Sequence, residues 1–221
     1  MPSQKRQTEP IHTLHGLLSD YAEIKRHLLA GELRGRRWII DRARELYGLH
    51  RAALGPVPDT YELLDLHRAM FGEVFEWAGE TRTIVTNIGV PPEQIRIELR
   101  KLFDDMAYRV ELLTSDKEAT NVRAMAELIA DTHRRFQWIH PFQDTNGRTG
   151  RTLDHYLLWV TFRVTRDDLS SAPIIEHFTN ETDEVAYYSS LRDGDVGQAD
   201  AFRSYYRQKL LEVVASFQVQ D

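Results

Sequence analysis

Along the chain, apolar residues recur mainly at three- and four-residue intervals, the spacing that lines one face of an α-helix. Leu14, Leu17, Leu18, Tyr21 and Ile24 share one such face, and Leu63, Leu66, Met70, Val74 and Trp77 share another. A further helix is predicted from about Pro92 to Leu113. The next runs through Val122, Met125, Leu128, Ile129, His133 and Phe136, with Asn121 as a suitable N-cap. Pro141 ends it, because proline disfavours helical geometry in the residue before it and has no amide proton to give. Helix formers resume at Arg148 and lead into the apolar stretch Leu153 to Val164, and a polar connector follows from Arg163 to Ser171. Two last helical regions, about Asp183 to Leu191 and Ala199 to Val214, are separated by Gly194 and Gly197. Strand-like residues are confined to Thr81-Arg82-Thr83-Ile84-Val85-Thr86-Asn87-Ile88-Gly89, a β-branched run closed by Gly89 and Pro91-Pro92, which predicts a short hairpin. The expected fold is all-α with one small β-hairpin.

With 221 residues, 42% of them hydrophobic, the chain can bury one sizeable core. It has no cysteine, which excludes disulfides, thiolate metal sites and cysteine nucleophiles. The net charge of -6 gives no global basic footprint for nucleic acid. Arg34, Arg36, Arg37, Arg42, Arg44 and Arg51 form one basic stretch, read as a solvated helix face. No apolar run reaches the roughly 18 residues of a membrane span, and Met1 to Pro10 carries no signal-peptide segment. The expectation is a cytoplasmic protein with no membrane or nucleic-acid partner.

The densest chemistry lies in His140-Pro141-Phe142-Gln143-Asp144-Thr145-Asn146-Gly147-Arg148-Thr149-Gly150-Arg151, between two predicted helices. A loop that opens a helix leaves backbone N–H groups unpaired at the positive end of the helix dipole, and so attracts anions. Gly147 lets the backbone approach a phosphate, and Asn146 tolerates the conformations an anion-binding nest needs. Arg148 and Arg151 share a helix face and can clamp further phosphate oxygens. Asp144 suits Mg²⁺, which prefers one or two carboxylates plus phosphate oxygens. His140 suits a base that takes the proton of a hydroxyl attacking the bound phosphate. Singly, each residue has an ordinary reading as a core histidine, a turn former or a solvated ion-pair partner. Together, and in this order, they describe a phosphate-handling site. No P-loop, His-Glu-x-x-His or Gly-x-Ser-x-Gly motif accompanies it, and His12 and His15 lack a third metal ligand.

These twelve residues resemble the motif of the Fic (filamentation induced by cAMP) family, His-Pro-Phe-x-(Asp/Glu)-Gly-Asn-Gly-Arg-x-x-Arg, departing from it only at Thr145, where glycine is usual. Leu66-His67-Arg68-Ala69-Met70-Phe71, Trp77-Ala78-Gly79-Glu80-Thr81-Arg82 and Tyr187-Tyr188-Ser189-Ser190-Leu191 extend the resemblance. Much of the chain is also similar to the Fic proteins called mobile mystery protein B. The resemblance implies a Fic domain over residues 59–221 after an N-terminal helical extension, 1–58. It implies a helical core with a hairpin flap, and transfer of AMP from ATP to a hydroxyl side chain of a target protein. His140 would then be the general base and Asp144 the Mg²⁺ ligand. Asn146 and Gly147 would line the α-phosphate hole, and Arg148 and Arg151 would contact the outer phosphates. Thr86, Asn87, Ile88 and Gly89 would form the flap that registers the target and borders the nucleotide. Asp195 falls near the place of a nucleotide-contacting asparagine in the family.

Gly147 favours AMP transfer over the phosphotransfer of Doc-type kinases, which resemble Fic proteins but tend to carry lysine there. Thr145 adds a β-branched side chain that narrows the loop's conformational range. Many Fic proteins block their second motif arginine with a glutamate from a (Ser/Thr)-x-x-x-Glu-(Gly/Asn) helix. No Glu-Gly or Glu-Asn pair occurs in this chain, and the nearest match, Ser19 to Glu23, is followed by Ile24. The expectation is therefore a chain restrained by a small partner protein that supplies the glutamate, or an unrestrained one. The alternatives are a nucleotide-binding regulatory module without turnover, which an intact His140 argues against, and de-AMPylation through the same pocket.

Overall fold

Asp59 opens the first helix that follows the N-terminal region, and it does so with a reciprocal capping box. Its carboxylate accepts from the Glu62 amide at 2.8 Å while the Glu62 carboxylate accepts from the Asp59 amide at 3.1 Å. The computed structural model describes residues 23, 26–35, 37–38, 58–115, 122–162, 181–195 and 199–218. Helix α1 covers residues 26–35, and α2 spans Thr60–Phe71. A 3₁₀ turn over Pro92–Gln94 leads into α3, Ile95–Ser115. Then come α4, Val122–Ile139, α5, Asn146–Phe162, α6, Glu181–Asp195, and α7, Ala199–Gln218. Asn121, His12, His15, Ser19 and the 163–171 connector lie outside the described residues.

Helix α4 is the central element and packs against α3, α5, α6 and α7. Its apolar stripe, Leu128, Ile129 and Phe136, is buried against Leu99, Leu102 and Met106 of α3, Leu153 and Leu157 of α5, and Phe202, Tyr206 and Leu210 of α7, and Met125 is buried as well. Helix α2 buries Leu63, Leu66, His67, Met70 and Phe71. It ends at Gly72, so Val74 and Trp77, expected on the same helix, sit in the turns that follow. Trp77 still packs on the main core. Gly194, expected to break the chain between helices, lies inside α6.

A buried polar network ties α4, α5, α6 and α7 together. The Asp154 carboxylate accepts from His133 Nδ1–H at 2.5 Å and from the Tyr206 hydroxyl at 2.8 Å, and the Tyr187 hydroxyl lies 2.6 Å from His133 Nε2. Burial raises both tyrosine hydroxyls above their ordinary range, so both remain protonated donors. The network fixes α5, whose first turn carries the motif.

Helix α1 docks on the C-terminal half of α2 through close backbone approach. A Cβ at Gly31 would fall 2.5 Å from the Met70 carbonyl oxygen, and one at Gly35 would fall 2.8 Å from the Met70 side chain. Arg34, read from the sequence as part of a solvated face, instead reaches two carbonyls that α2 leaves unpaired. Nε donates to Ala69 O at 3.2 Å and Nη2 to Met70 O at 2.8 Å, while Nη1 pairs with Glu73.

The all-α expectation holds, and no described helix is long and apolar enough to cross a membrane. The predicted hairpin does not form. Residues 81–90 are an irregular loop, and no β-strand occurs among the described residues. The buried Arg82 guanidinium competes with a ladder here: it takes up the carbonyl of Ile84, inside the expected hairpin, and that of Val90, just after it.

Candidate functional site

Helix α4 closes where the His140 amide donates to Phe136 O at 3.0 Å and His140 turns into the left-handed region at φ 50°. Five residues later Thr145 also adopts a left-handed conformation, φ 63°, and α5 begins at Asn146. The loop between these points is fastened from inside. The Asn146 side chain accepts from the Phe142 amide at 2.9 Å and donates to the Phe142 carbonyl at 2.8 Å, and Gln137 Nε2 donates to Asn146 O at 3.3 Å. Phe142 is fully buried and stacks on His67 with ring centroids 3.7 Å apart. Asn146 therefore holds the loop with its side chain. What remains for an anion is the first turn of α5, where amides have no partner inside the helix until Thr149 donates to Thr145 O.

Gly147 stands in this first turn. An added Cβ would meet only Arg151 Nη1, at 3.4 Å, so packing does not require glycine there, and its absence of a side chain keeps the helix start open. Gly150 differs, since a Cβ there would fall 2.5 Å from Gln137 Nε2 and 3.1 Å from the Phe136 ring.

His140 Nδ1–H donates to Gln137 O at 3.3 Å, which leaves the lone pair on Nε2. Burial depresses the His140 pKa below 6.5; the Gln137 carbonyl opposes the shift, Arg82 adds to it, and Asp144 opposes it. The imidazole is thus neutral and basic at neutral pH. Asp144 is exposed, and one of its oxygens accepts from the Thr145 amide at 2.5 Å. Among the described residues, no three His, Asp or Glu side chains cluster to hold a metal unaided. A Mg²⁺ bound through one carboxylate and phosphate oxygens needs no such cluster, and an exposed carboxylate beside a helix N-terminus fits that role.

Arg148 and Arg151 lie together as expected, but they share a partner that the sequence did not reveal. Glu32 Oε1, from α1, accepts from Arg148 Nη1 at 2.9 Å and from Arg151 Nη2 at 3.3 Å. The three side chains are all less than one-third exposed. The expectation that any glutamate on these arginines would come from another protein did not include this residue, because Leu33 follows Glu32 and the Glu-Gly or Glu-Asn pattern is absent.

The loop holding Thr86, Asn87, Ile88 and Gly89 runs beside His140. Gly89 is left-handed at φ 106°, and a Cβ there would fall 2.7 Å from His140 Cβ. The Thr86 hydroxyl donates to Ile88 O. Ile84, Val85 and Ile88 are exposed. Arg82 joins this loop to the motif: besides Ile84 and Val90, its Nε donates to His140 O at 2.7 Å and its amide to Pro141 O at 2.8 Å. Asp195 is the last residue of α6.

Sequence reasoning therefore missed Glu32, Arg82 and His67. Arg82 and His67 lie inside segments that carried the family resemblance, and that was their only signal. Burial lowers the His67 pKa to about 4, against a smaller opposing effect of the Asp144 backbone, so its ring is neutral.

A helical core wrapped around a His-to-Arg loop of this kind is the architecture of one class of proteins. Residues 58–158 match the Fic/DOC family model, so this part of the chain is similar to Fic/DOC domains. It is 36% identical over 88 residues to the probable protein adenylyltransferase y4lH of Sinorhizobium fredii, covering 38% of this chain and 44% of that protein. It is 28% identical over 149 residues to the protein adenylyltransferase VbhT of Bartonella schoenbuchensis, covering 61% of this chain and 29% of that protein. The chain thus spans less than half the length of the curated relatives it matches. The fold is that of the BepC protein of Bartonella tribocorum, solved with bound AMPPNP, with a TM-score of 0.58 at 17% identity over 92% of this chain and 93% of that one.

Proposed function

We propose that the chain is a protein adenylyltransferase that moves AMP from ATP to a Ser, Thr or Tyr hydroxyl of a target protein. The observation that carries this reading is the His140 ring itself. Its Nδ1–H is committed to Gln137 O, so Nε2 is the base, and it sits in the same loop as Asp144 and the open start of α5. The target oxygen attacks the α-phosphorus, its proton passes to His140 Nε2, and the bond from that phosphorus to the bridging oxygen breaks to release pyrophosphate. The first-turn amides around Gly147 receive the charge that develops on the α-phosphate, and Arg148 and Arg151 receive the outer phosphates. Asp144 would hold a Mg²⁺ that neutralises phosphate charge. Asp195 belongs to this reading as a nucleotide contact. The exposed Ile84, Val85 and Ile88 offer an extended target segment an apolar edge beside His140. The reading belongs to the cytoplasm, with no role for nucleic acid or membrane.

The Glu32 bridge adds a restraint to this reading. A carboxylate on Arg148 and Arg151 competes with the outer phosphates of ATP, so the chain restrains itself with Glu32, and a partner supplying a glutamate is not required. The test is incubation of the protein, Glu32→Ala and Glu32→Ala/His140→Ala with Mg²⁺ and ATP labelled at either the α- or the γ-phosphate, in cell lysate. His140-dependent α-label on a protein supports the proposal. γ-Label on protein would make the chain a phosphotransferase. Nucleotide binding with no transfer of either label would make it a binding module.

A further inference from the structure

Thr145 combines two features that conflict. It is β-branched, yet its backbone is left-handed at φ 63°, and it is buried at the base of the loop. A left-handed threonine persists only where its surroundings over-determine it. The determinant here is a chain of hydrogen bonds that begins one layer away, behind Phe142.

The Gly79 amide donates to His67 Nδ1 at 2.9 Å, which makes that nitrogen the acceptor and places the ring proton on Nε2. His67 Nε2–H then donates to Thr145 Oγ1, also at 2.9 Å. The threonine hydroxyl spends its own proton on the Asp144 carbonyl at 2.6 Å, and the Thr145 amide donates to the Asp144 carboxylate. Four groups are thus joined in a single direction: Gly79 N–H to His67, His67 to Thr145, Thr145 to Asp144. The donor ring cannot drift, because it is fully buried, stacked on Phe142 at an interplanar angle of 13° and set edge-on to Phe71. Glycine at 145 would adopt the same backbone without strain but would leave a buried His67 N–H with no acceptor.

We propose that His67 is a positioning residue that, through the Thr145 hydroxyl, fixes the Asp144 backbone and carboxylate in the pose that receives the metal–nucleotide. This inference rests on the reading of Asp144 as the metal ligand. Thr145 is thereby one half of a matched pair with His67, and the loop's order depends on both halves being present.

The test uses the full chain carrying Glu32→Ala, so that the arginines are open to nucleotide, with Thr145→Val, Thr145→Ser, His67→Phe and the His67→Phe/Thr145→Val pair added. Two quantities are measured: amide hydrogen exchange of the 142–149 segment without nucleotide, and the Kd for MgATP. Thr145→Val and His67→Phe are each expected to speed exchange in that segment about tenfold and to weaken MgATP about tenfold, with the double variant no worse than either single one. Thr145→Ser, which keeps the hydroxyl, restores both toward the parent. Additive losses, or loop exchange unchanged in Thr145→Val, would overturn the inference. A His67→Phe chain that fails to fold leaves the decision to Thr145→Val and Thr145→Ser. If the Glu32→Ala parent binds no MgATP, the Asp144 reading fails, while the exchange data still decide whether His67 orders the loop.

Discussion

Glu32 and Arg148 meet at 2.9 Å across 116 residues of sequence, and the same carboxylate oxygen reaches Arg151 at 3.3 Å. The contact joins a helix that precedes the Fic-like domain to the two cations of its motif.

Because that carboxylate occupies groups read here as phosphate ligands, its removal raises the fraction of binding-competent protein. If about a tenth of the protein is competent at rest, Glu32→Ala tightens apparent ATP affinity about tenfold and raises transfer in step. Arg34→Ala acts in the same direction by freeing α1 from the Ala69 and Met70 carbonyls. Calorimetric titration of each variant with MgATP checks both, and equal affinities in all three proteins would remove the restraint from the reading.

His140→Ala lowers the transfer rate by about 10²–10⁴-fold with little change in ATP affinity, as for loss of a general base. The pH dependence follows from the direction of the shift. Only neutral His140 accepts a proton, and its folded pKa lies below 6.5. The rate is therefore flat at and above neutral pH and falls only as the pH drops through a value lower than 6.5. An acid limb centred above 6.5 in the pH–rate profile would contradict this.

Gly147 and Gly150 separate binding from packing. Gly147→Ala leaves thermal stability within about 0.5 kcal/mol of the parent, as for a substitution that strains nothing, but weakens ATP because a methyl group enters the open helix start. Gly150→Ala does the reverse and destabilises by about 1–3 kcal/mol by overpacking against Gln137 and Phe136. Denaturation and ATP titration of the two variants should give opposite pairs of results.

Arg82→Leu strips donors from the carbonyls of His140, Ile84 and Val90 at a site where the side chain is 2% exposed. The expected loss is about 1–3 kcal/mol, set mainly by the buried Val90 carbonyl, because a buried polar group left unpaired costs about that much while the half-exposed Ile84 carbonyl can turn to water. Arg82→Lys recovers only part of it, because one ammonium cannot reproduce a planar fork. Chemical denaturation measures both. A loss below about 0.5 kcal/mol would mean that the loop is held by other contacts.

The sequence by itself determined the local properties. Apolar spacing specified the α4 face and the Leu63, Leu66 and Met70 part of the α2 face, Pro141 the end of α4, and the order of residues from His140 to Arg151 the candidate site, because helix periodicity, proline geometry and a contiguous motif all act over a few neighbouring residues. The β-branched run at 81–89 misled for a matching reason: propensity describes what a segment does alone, and the Arg82 side chain competes with a ladder for the Ile84 carbonyl. Tertiary structure alone decided which distant groups meet. Glu32 on Arg148 and Arg151, Arg34 on the end of α2, and His67 beneath Thr145 are pairings across 35 to 119 positions. No pattern of spacing encodes them, since a carboxylate or an imidazole acquires its partner only when packing of the helices brings their faces together.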